Sequence, residues 1–236
     1  MKKHTGDPVG AAILDYARTK KPADIIVSSE ICEDDIIPLE VLFRSYEEMP
    51  ELETIALEKA QGRILDVGAG AGVHALYLKE KGKDVSVIDL SEGAVQHLKE
   101  KGLEARCIDF FDLEGEKYDT ILMLMNGIGI AGKLNNLENT LSHAKKLLNP
   151  GGKIYCDSSD IRYLYEDEEG ALWIDLNSEY YGNFRFQMNY KKETGEWFDW
   201  LYVDYDNLHT AAVNAGLKAQ RIYISSDDHF LAEITN

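Results

Sequence analysis

Cysteine and positive charge are scarce in this chain of 236 residues, and long apolar runs are missing. The three cysteines, Cys32, Cys107 and Cys156, have neither metal-ligand nor redox spacing, which argues against a zinc module or a disulfide scaffold. Cys107 and Cys156 fall in apolar, strand-like runs and are expected to be core thiols. A reducing, cytoplasmic compartment is the corresponding expectation. No apolar stretch approaches the roughly 18 residues of a membrane span, so no membrane partner is expected. No apolar segment follows Met1-Lys2-Lys3-His4, and a secretory leader is not expected. Lys and Arg number 25 against 42 Asp and Glu, a formal charge of -17. Such a surface repels polyphosphate, which makes nucleic acid a poor expectation as substrate. The run Glu166-Asp167-Glu168-Glu169 reads as a solvated loop or helix end.

What is present is core material, with 44% hydrophobic residues, and a pattern that changes along the chain. Residues 7–20 have helical spacing. Pro50 opens a second helix through Leu52, Ile55, Ala56 and Leu57, and Gly62 stops it. Ile25-Ile26-Val27 is too short to assign. Residues 1–61 are therefore read as a helical N-terminal cap without a core of its own. From residue 62, apolar strands at 63–67, 84–89, 105–109, 118–125 and 152–157 alternate with helical stretches at 72–81, 91–101 and 134–148. That alternation predicts a doubly wound, mostly parallel sheet with helices on both faces. Residues 62–157 form the core of a single domain in this reading. Residues 158–204 are an insertion ending in a hairpin, 184–191 and 197–204, about a turn at 193–196. A helix at 206–215 and strands at 217–225 and 229–234, antiparallel to each other, complete the chain at 205–236.

The stretch Arg63-Ile64-Leu65-Asp66-Val67-Gly68-Ala69-Gly70-Ala71-Gly72 is a strand, a turn free of bulky side chains, and the start of a helix. That is a nucleotide-binding corner. A dinucleotide fingerprint begun at Gly68 needs a third glycine where Val73 stands; begun at Gly70 it fits only the looser form ending in Ala75. The spacing leans toward a ligand without pyrophosphate. Other strands bring polar groups to the same carboxyl edge. Asp89 ends the second and can accept hydrogen bonds from a ribose diol. Asp109 ends the third, followed by Phe110, and is placed to meet an adenine amino group. Met125-Asn126-Gly127 follows the fourth.

In this ordered set the chain resembles the class I S-adenosylmethionine-dependent methyltransferases, closely over residues 62–157 and more loosely at the C-terminal helix and strands. The residues carrying the resemblance are Leu65 to Gly72, Val87-Ile88-Asp89-Leu90-Ser91, Ile108-Asp109-Phe110-Phe111-Asp112, Tyr118-Asp119-Thr120-Ile121 and Leu147-Leu148-Asn149-Pro150-Gly151-Gly152. The resemblance implies a Rossmann-like seven-stranded sheet with one antiparallel strand. It implies S-adenosylmethionine as cofactor and S-adenosylhomocysteine as product. By position, Asp66 with the backbone of Gly68, Ala69 and Gly70 lies near the methionine part. Asp89 binds the ribose, Leu90 packs on adenine, and Asp109 and Phe110 flank it. Met125 and Asn126 face the reactive end. The segment Phe43-Arg44-Ser45-Tyr46-Glu47-Glu48-Met49 is similar to a cofactor-covering segment, which brings in Arg44, Tyr46 and Met49.

Asn126-Gly127-Ile128-Gly129 departs from the signature of amino-methylating nucleic-acid enzymes. With the acidic surface, this points to a small-molecule acceptor. A nucleotide-binding oxidoreductase, a protein methyltransferase, and a non-catalytic regulator or scaffold that binds S-adenosylmethionine are the alternatives. No general base is read. His74 is expected to be structural or near the cofactor, His143 to lie on the surface, and His209 and His229 near strand or helix ends. Tyr180, Tyr181, Trp197, Trp200 and Tyr202 cover the sheet, form a homodimer contact, or wall an acceptor pocket; the residues leave these open.

Overall fold

A computed structural model describes residues 6–21, 23–167, 171 and 179–236. The basic N-terminus and Glu168-Glu169 of the acidic run lie outside the described residues. The helices are α1 (Pro8–Thr19), α2 (Glu51–Lys59), α3 (Val73–Glu80), α4 (Glu92–Glu100), α5 (Leu137–Lys146) and α6 (Tyr205–Asn214). The strands are β1 (Asp24–Ser29), β2 (Asp35–Pro38), β3 (Arg63–Val67), β4 (Asp84–Asp89), β5 (Glu104–Cys107), β6 (Tyr118–Met123), β7 (Leu148–Ser159), β8 (Asn183–Tyr190), β9 (Glu193–Leu201), β10 (Lys218–Ile224) and β11 (His229–Thr235).

Seven strands form one sheet in the order β10-β11-β7-β6-β3-β4-β5. Strands β3 to β7 run parallel, and β11 is antiparallel to both β7 and β10. The doubly wound sheet with one antiparallel strand is thus the observed architecture. The near-continuous apolar strands follow from burial on both faces. One face packs Leu65, Ile121, Ile154 and Phe230 against Leu141 of α5 and Leu208 of α6. The other packs Ile64, Leu122, Tyr155 and Leu231 against Leu52 of α2 and Leu78 of α3.

The N-terminal segment corrects the helical reading. It contributes α1 and α2, but also β1 and β2, which pair with each other and, through β1, with β8. The result is a second sheet, β2-β1-β8-β9. Strands of four and six residues carry little local signal; β1 is completed by a partner over 150 positions away, and β2 by β1. The hairpin is also tighter than its glycine suggested. It turns at Lys191, with φ 54°, and Gly195 lies inside β9. The pairing register shifts between Gln187 and Asn189, opposite that part of β9, as expected where a strand glycine accompanies a bulge.

α1 is fastened to the parallel core by one carboxylate. Asp7 Oδ1 caps α1 at the Gly10 N–H, while Oδ2 accepts from Ser91 Oγ and the Gly93 N–H at the start of α4. The backbones of Gly10 and Gly93 touch, so that a Cβ on Gly93 would stand 2.6 Å from the Gly10 Cα.

Candidate functional site

The glycine turn follows β3 directly. The N–H groups of Gly68 and Ala69 donate to the Ile88 carbonyl of β4, and Gly70 N–H donates to Asp89 Oδ2 at 2.8 Å. The second Asp89 oxygen accepts from Ser91 N–H at 2.8 Å. Asp89 therefore both shapes the turn and starts α4, and each oxygen keeps lone-pair capacity for a ligand. Burial raises its carboxyl above the ordinary range, while the Ser91 and Gly70 N–H groups oppose that. Gly68 and Gly70 have φ of 69° and 55°, a region costly for other residues. A Cβ built on either meets nothing within 4 Å. The turn thus borders open space into which its bare backbone faces. Leu90, 70% exposed, stands beside it, an apolar side chain suited to be covered by a flat ring.

Asp66 lies near the end of β3 at 2% exposure, and its Oδ2 is buried without a partner among the described residues. Burial pushes its carboxyl up to about 6; a charge on His74 would oppose this and Asp89 adds to it. Behind it lies a buried ion-pair network. Glu53 of α2 accepts from Arg44 through both oxygens and is paired with His74 Nε2 at 2.8 Å. Arg44 Nη1 is spent on the Val41 carbonyl, and its Nε is buried without a partner among the described residues. His74 is a buried residue of α3, consistent with a structural or near-cofactor place. Glu53 was missed by sequence reasoning: it looks like any helix-surface acid.

Tyr46 and Met49 diverge. Met49 is buried against α2 and α3. The Tyr46 ring stacks on Tyr77 with centroids 4.1 Å apart, and its hydroxyl donates to Glu58 at 3.0 Å. Burial and the Glu58 carboxylate push that phenol up to about 12. The structure places Tyr46 on the outer side of α3.

At the β5 end, Asp109 Oδ1 caps the turn Phe110–Asp112 at the Phe111 N–H. Phe110 is buried in the core, T-shaped against His143, whose Nε2 is 2.8 Å from the Phe110 carbonyl. His143 is therefore a strut of this loop, held half-buried rather than on the surface as expected. Phe111, 42% exposed, is the ring left at the edge.

After β6 the chain turns through Met125 and Asn126, with φ of 62° and 55°. Two successive non-glycine residues in this region mark a local strain that its surroundings must hold. Asn126 N–H donates to Asp157 Oδ2 at 2.9 Å, and Asn126 Oδ1 accepts from Ser159 Oγ at 3.3 Å. Asp157 lies near the end of β7, as Asp66 does in β3 and Asp89 in β4; that repeated pattern was the available signal for it.

The second sheet overhangs this turn. Gly129 lies so close to the Trp200 indole of β9 that a Cβ there would meet it at 2.3 Å. Phe184, Phe186, Phe198, Trp200 and Tyr202 form a continuous set of ring contacts on that side. Trp197 lies elsewhere, exposed and stacked under Arg185. The hydroxyls of Tyr180 and Tyr181 are tied to Asp204 and Asp160. Among the described residues, no helix is long and apolar enough to cross a membrane.

Comparison with known proteins agrees with this fold. Residues 40–218 match the family model described as a methyltransferase domain. The chain is similar to the crystal structure of a S-adenosylmethionine-dependent methyltransferase from Bacteroides fragilis in complex with S-adenosyl-L-homocysteine. Identity is 45%, 98% of this chain and 94% of that one are covered, and the TM-score is 0.91. It is 31% identical over 160 residues to an uncharacterized methyltransferase of Staphylococcus carnosus, covering 59% of this chain and 71% of that protein. The sugar N-methyltransferase KedS8 of Streptoalloteichus shares the fold at 15% identity and a TM-score of 0.58, with 89% and 97% of the chains covered.

Proposed function

Since this chain belongs to the methyltransferase-domain family and is an S-adenosylmethionine-dependent methyltransferase, we propose that it methylates a small-molecule acceptor by in-line displacement. The observation that carries the proposal is the aromatic sheet over the turn after β6, which sets a row of rings next to polar groups. The charge of -17 adds to it by disfavouring nucleic acid.

The residues present fit the cofactor. The space before Gly68 and Gly70 accommodates a ligand against bare backbone. The unpartnered Asp66 Oδ2 and Arg44 Nε suit the amino and carboxylate groups of its methionine part. Asp89 would take the ribose hydroxyls and Leu90 would lie against adenine, with Asp109, Phe110 and the exposed Phe111 at its far edge. Met125 and Asn126 would border the reacting end. Bound there, S-adenosylmethionine supplies a methyl group on a sulfonium, already a good leaving arrangement. The chain's own work is then orientation and exclusion of water. The fixed turn at Met125–Asn126 sets the approach, and the overhanging rings desolvate it. Arg44, Asp66 and Asp89 hold the remote ends of the cofactor, where binding energy is converted into positioning.

Calorimetry with S-adenosylmethionine, S-adenosylhomocysteine and NAD is expected to show binding of the first two alone. Incubation with labelled S-adenosylmethionine and a metabolite pool is expected to place label in a small molecule. Label recovered only in protein or nucleic acid would refute the acceptor class.

A further inference from the structure

One ionisable pair at the carboxyl edge is not used by the cofactor site proposed above. Asp157, fully buried near the end of β7, accepts from the ring of His229, the first residue of β11, with Nε2 to Oδ2 at 2.6 Å. In the antiparallel register His229 stands opposite Ser159 and Leu231 opposite Asp157, so these side chains share one sheet face. The same Oδ2 accepts from the Asn126 N–H, which ties the pair to the strained turn after β6. The His229 backbone is held on both sides by Ser225. Its side chain is 26% exposed, and Nδ1 has no partner among the described residues. Across the sheet the order is Asp89 on β4, the glycine turn on β3, Asn126 after β6, Asp157 on β7 and His229 on β11. The cofactor groups of the proposed function occupy the first three places, leaving the last two beside its reacting end.

We infer that His229 is the general base of this enzyme, acting on an acceptor whose nitrogen or oxygen carries a removable proton, with Asp157 as the positioning residue that fixes its ring. This rests on the methyltransferase reading above. A carboxylate accepting from Nε2–H leaves the Nδ1 lone pair free to act. Nδ1 takes the acceptor's proton as the acceptor's lone pair forms its bond to the methyl carbon. The carbon–sulfur bonding pair leaves with sulfur, which becomes a neutral thioether. The positive charge passes to the imidazolium, beside the Asp157 carboxylate, and the proton is later released to water. Charged groups near this end of the strands include Asp160 and Arg162 after β7, the former accepting from the Tyr181 hydroxyl, and Asp227 and Asp228 in the turn before β11; Lys153 and Glu233 pair with each other further along β7 and β11.

The test begins with a crystal structure of the S-adenosylhomocysteine complex. An acceptor atom roughly 3 Å from both the methyl carbon and the base requires His229 Nδ1 within about 8 Å of the sulfur, with open space between. A longer distance, or a side chain in between, would overturn the inference while leaving the cofactor site intact. Failure of the wild-type protein to bind either cofactor form would overturn both. Nitrogen-15 spectra of the His229 ring are expected to show a bare Nδ1, and Asp157→Asn is expected to mix the tautomers. An unchanged tautomer in that variant would remove Asp157 from its role. His229→Gln is expected to bind S-adenosylhomocysteine within threefold of wild type. A folded variant that loses binding would reassign His229 to the cofactor. With the acceptor found by label transfer, His229→Gln is expected to lower kcat by about 100-fold with KM within threefold; an unchanged kcat would sink the idea.

Discussion

Asp66 is a residue whose chemistry is altered by burial. Burial lifts its carboxyl to about 6, so in the free protein it carries a proton through mildly acidic pH. An acid raised this way stabilises the fold while protonated, and that contribution is lost as pH rises through 6. A bound ammonium would reverse the preference. S-adenosylhomocysteine affinity is therefore expected to fall by up to about tenfold per pH unit below 6, with proton release on binding near pH 5.5. Calorimetry in buffers of different ionisation enthalpy would show it; a flat profile from pH 5 to 7 would separate Asp66 from the ligand. Glu53 is the opposite case. Burial pushes its carboxyl up, but His74 and Arg44 outweigh burial and hold it below the ordinary range. Its contribution is present at neutral pH and lost as pH falls through the lowered value. With side chains of Glu53 and Arg44 at 4% and 8% exposure, Glu53→Gln is expected to cost about 3–5 kcal/mol in urea unfolding, because Arg44 stays charged and buried without its partner. A loss below about 1 kcal/mol would mean that water reaches the pair.

Among the elements, α1 and α4 meet through glycine backbones. Gly93→Ala would gain up to about 1 kcal/mol of helix propensity. The added methyl, however, would stand 2.6 Å from the Gly10 Cα, and backbone cannot yield as a flexible side chain can. Overpacking is expected to win, with a net loss of about 1–3 kcal/mol and faster hydrogen exchange in α1. A more stable variant would show that α1 moves freely. The elements also explain what was legible in the sequence. The β3–β7 core could be read because each strand is a local apolar run punctuated by glycine or by an acid. The glycine turn and Asp89 stood out for the same reason, being adjacent in sequence to the strands that place them. β1 was not legible, since its partner β8 is remote in sequence, and β2, only four residues long, pairs with β1 alone. The sequence reading chose Phe110 as the ring beside adenine, whereas Phe110 is the buried ring, packed on His143 of α5, and Phe111 is the exposed one. The Asp157–His229 pair, 72 residues apart, exists only once β11 has paired with β7.

For the whole molecule, the second sheet meets the first where Trp200 of β9 lies against Gly129, after β6, and open space lies before the glycine turn. A ligand that fills that space binds the folded state only. At a concentration of about 100 times its Kd, S-adenosylhomocysteine is expected to add roughly 2.7 kcal/mol. For a chain of this length that corresponds to a rise in Tm of roughly 5–10 °C, measured by calorimetry. No rise would contradict an assembled site in the free protein. The second sheet has a consequence for biosynthesis. Its first two strands are translated early, yet β8 begins only at Asn183, after the whole of β3 to β7. At about 5–20 residues per second, β1 waits roughly 8–30 s for its neighbour. By the end of that interval the nascent chain holds β3 to β7 while β8 and β9 are still to come. A ribosome stalled before Leu201 would therefore hold the parallel strands β3 to β7 with β9 cut short and with β10 and β11 still to be added to their sheet.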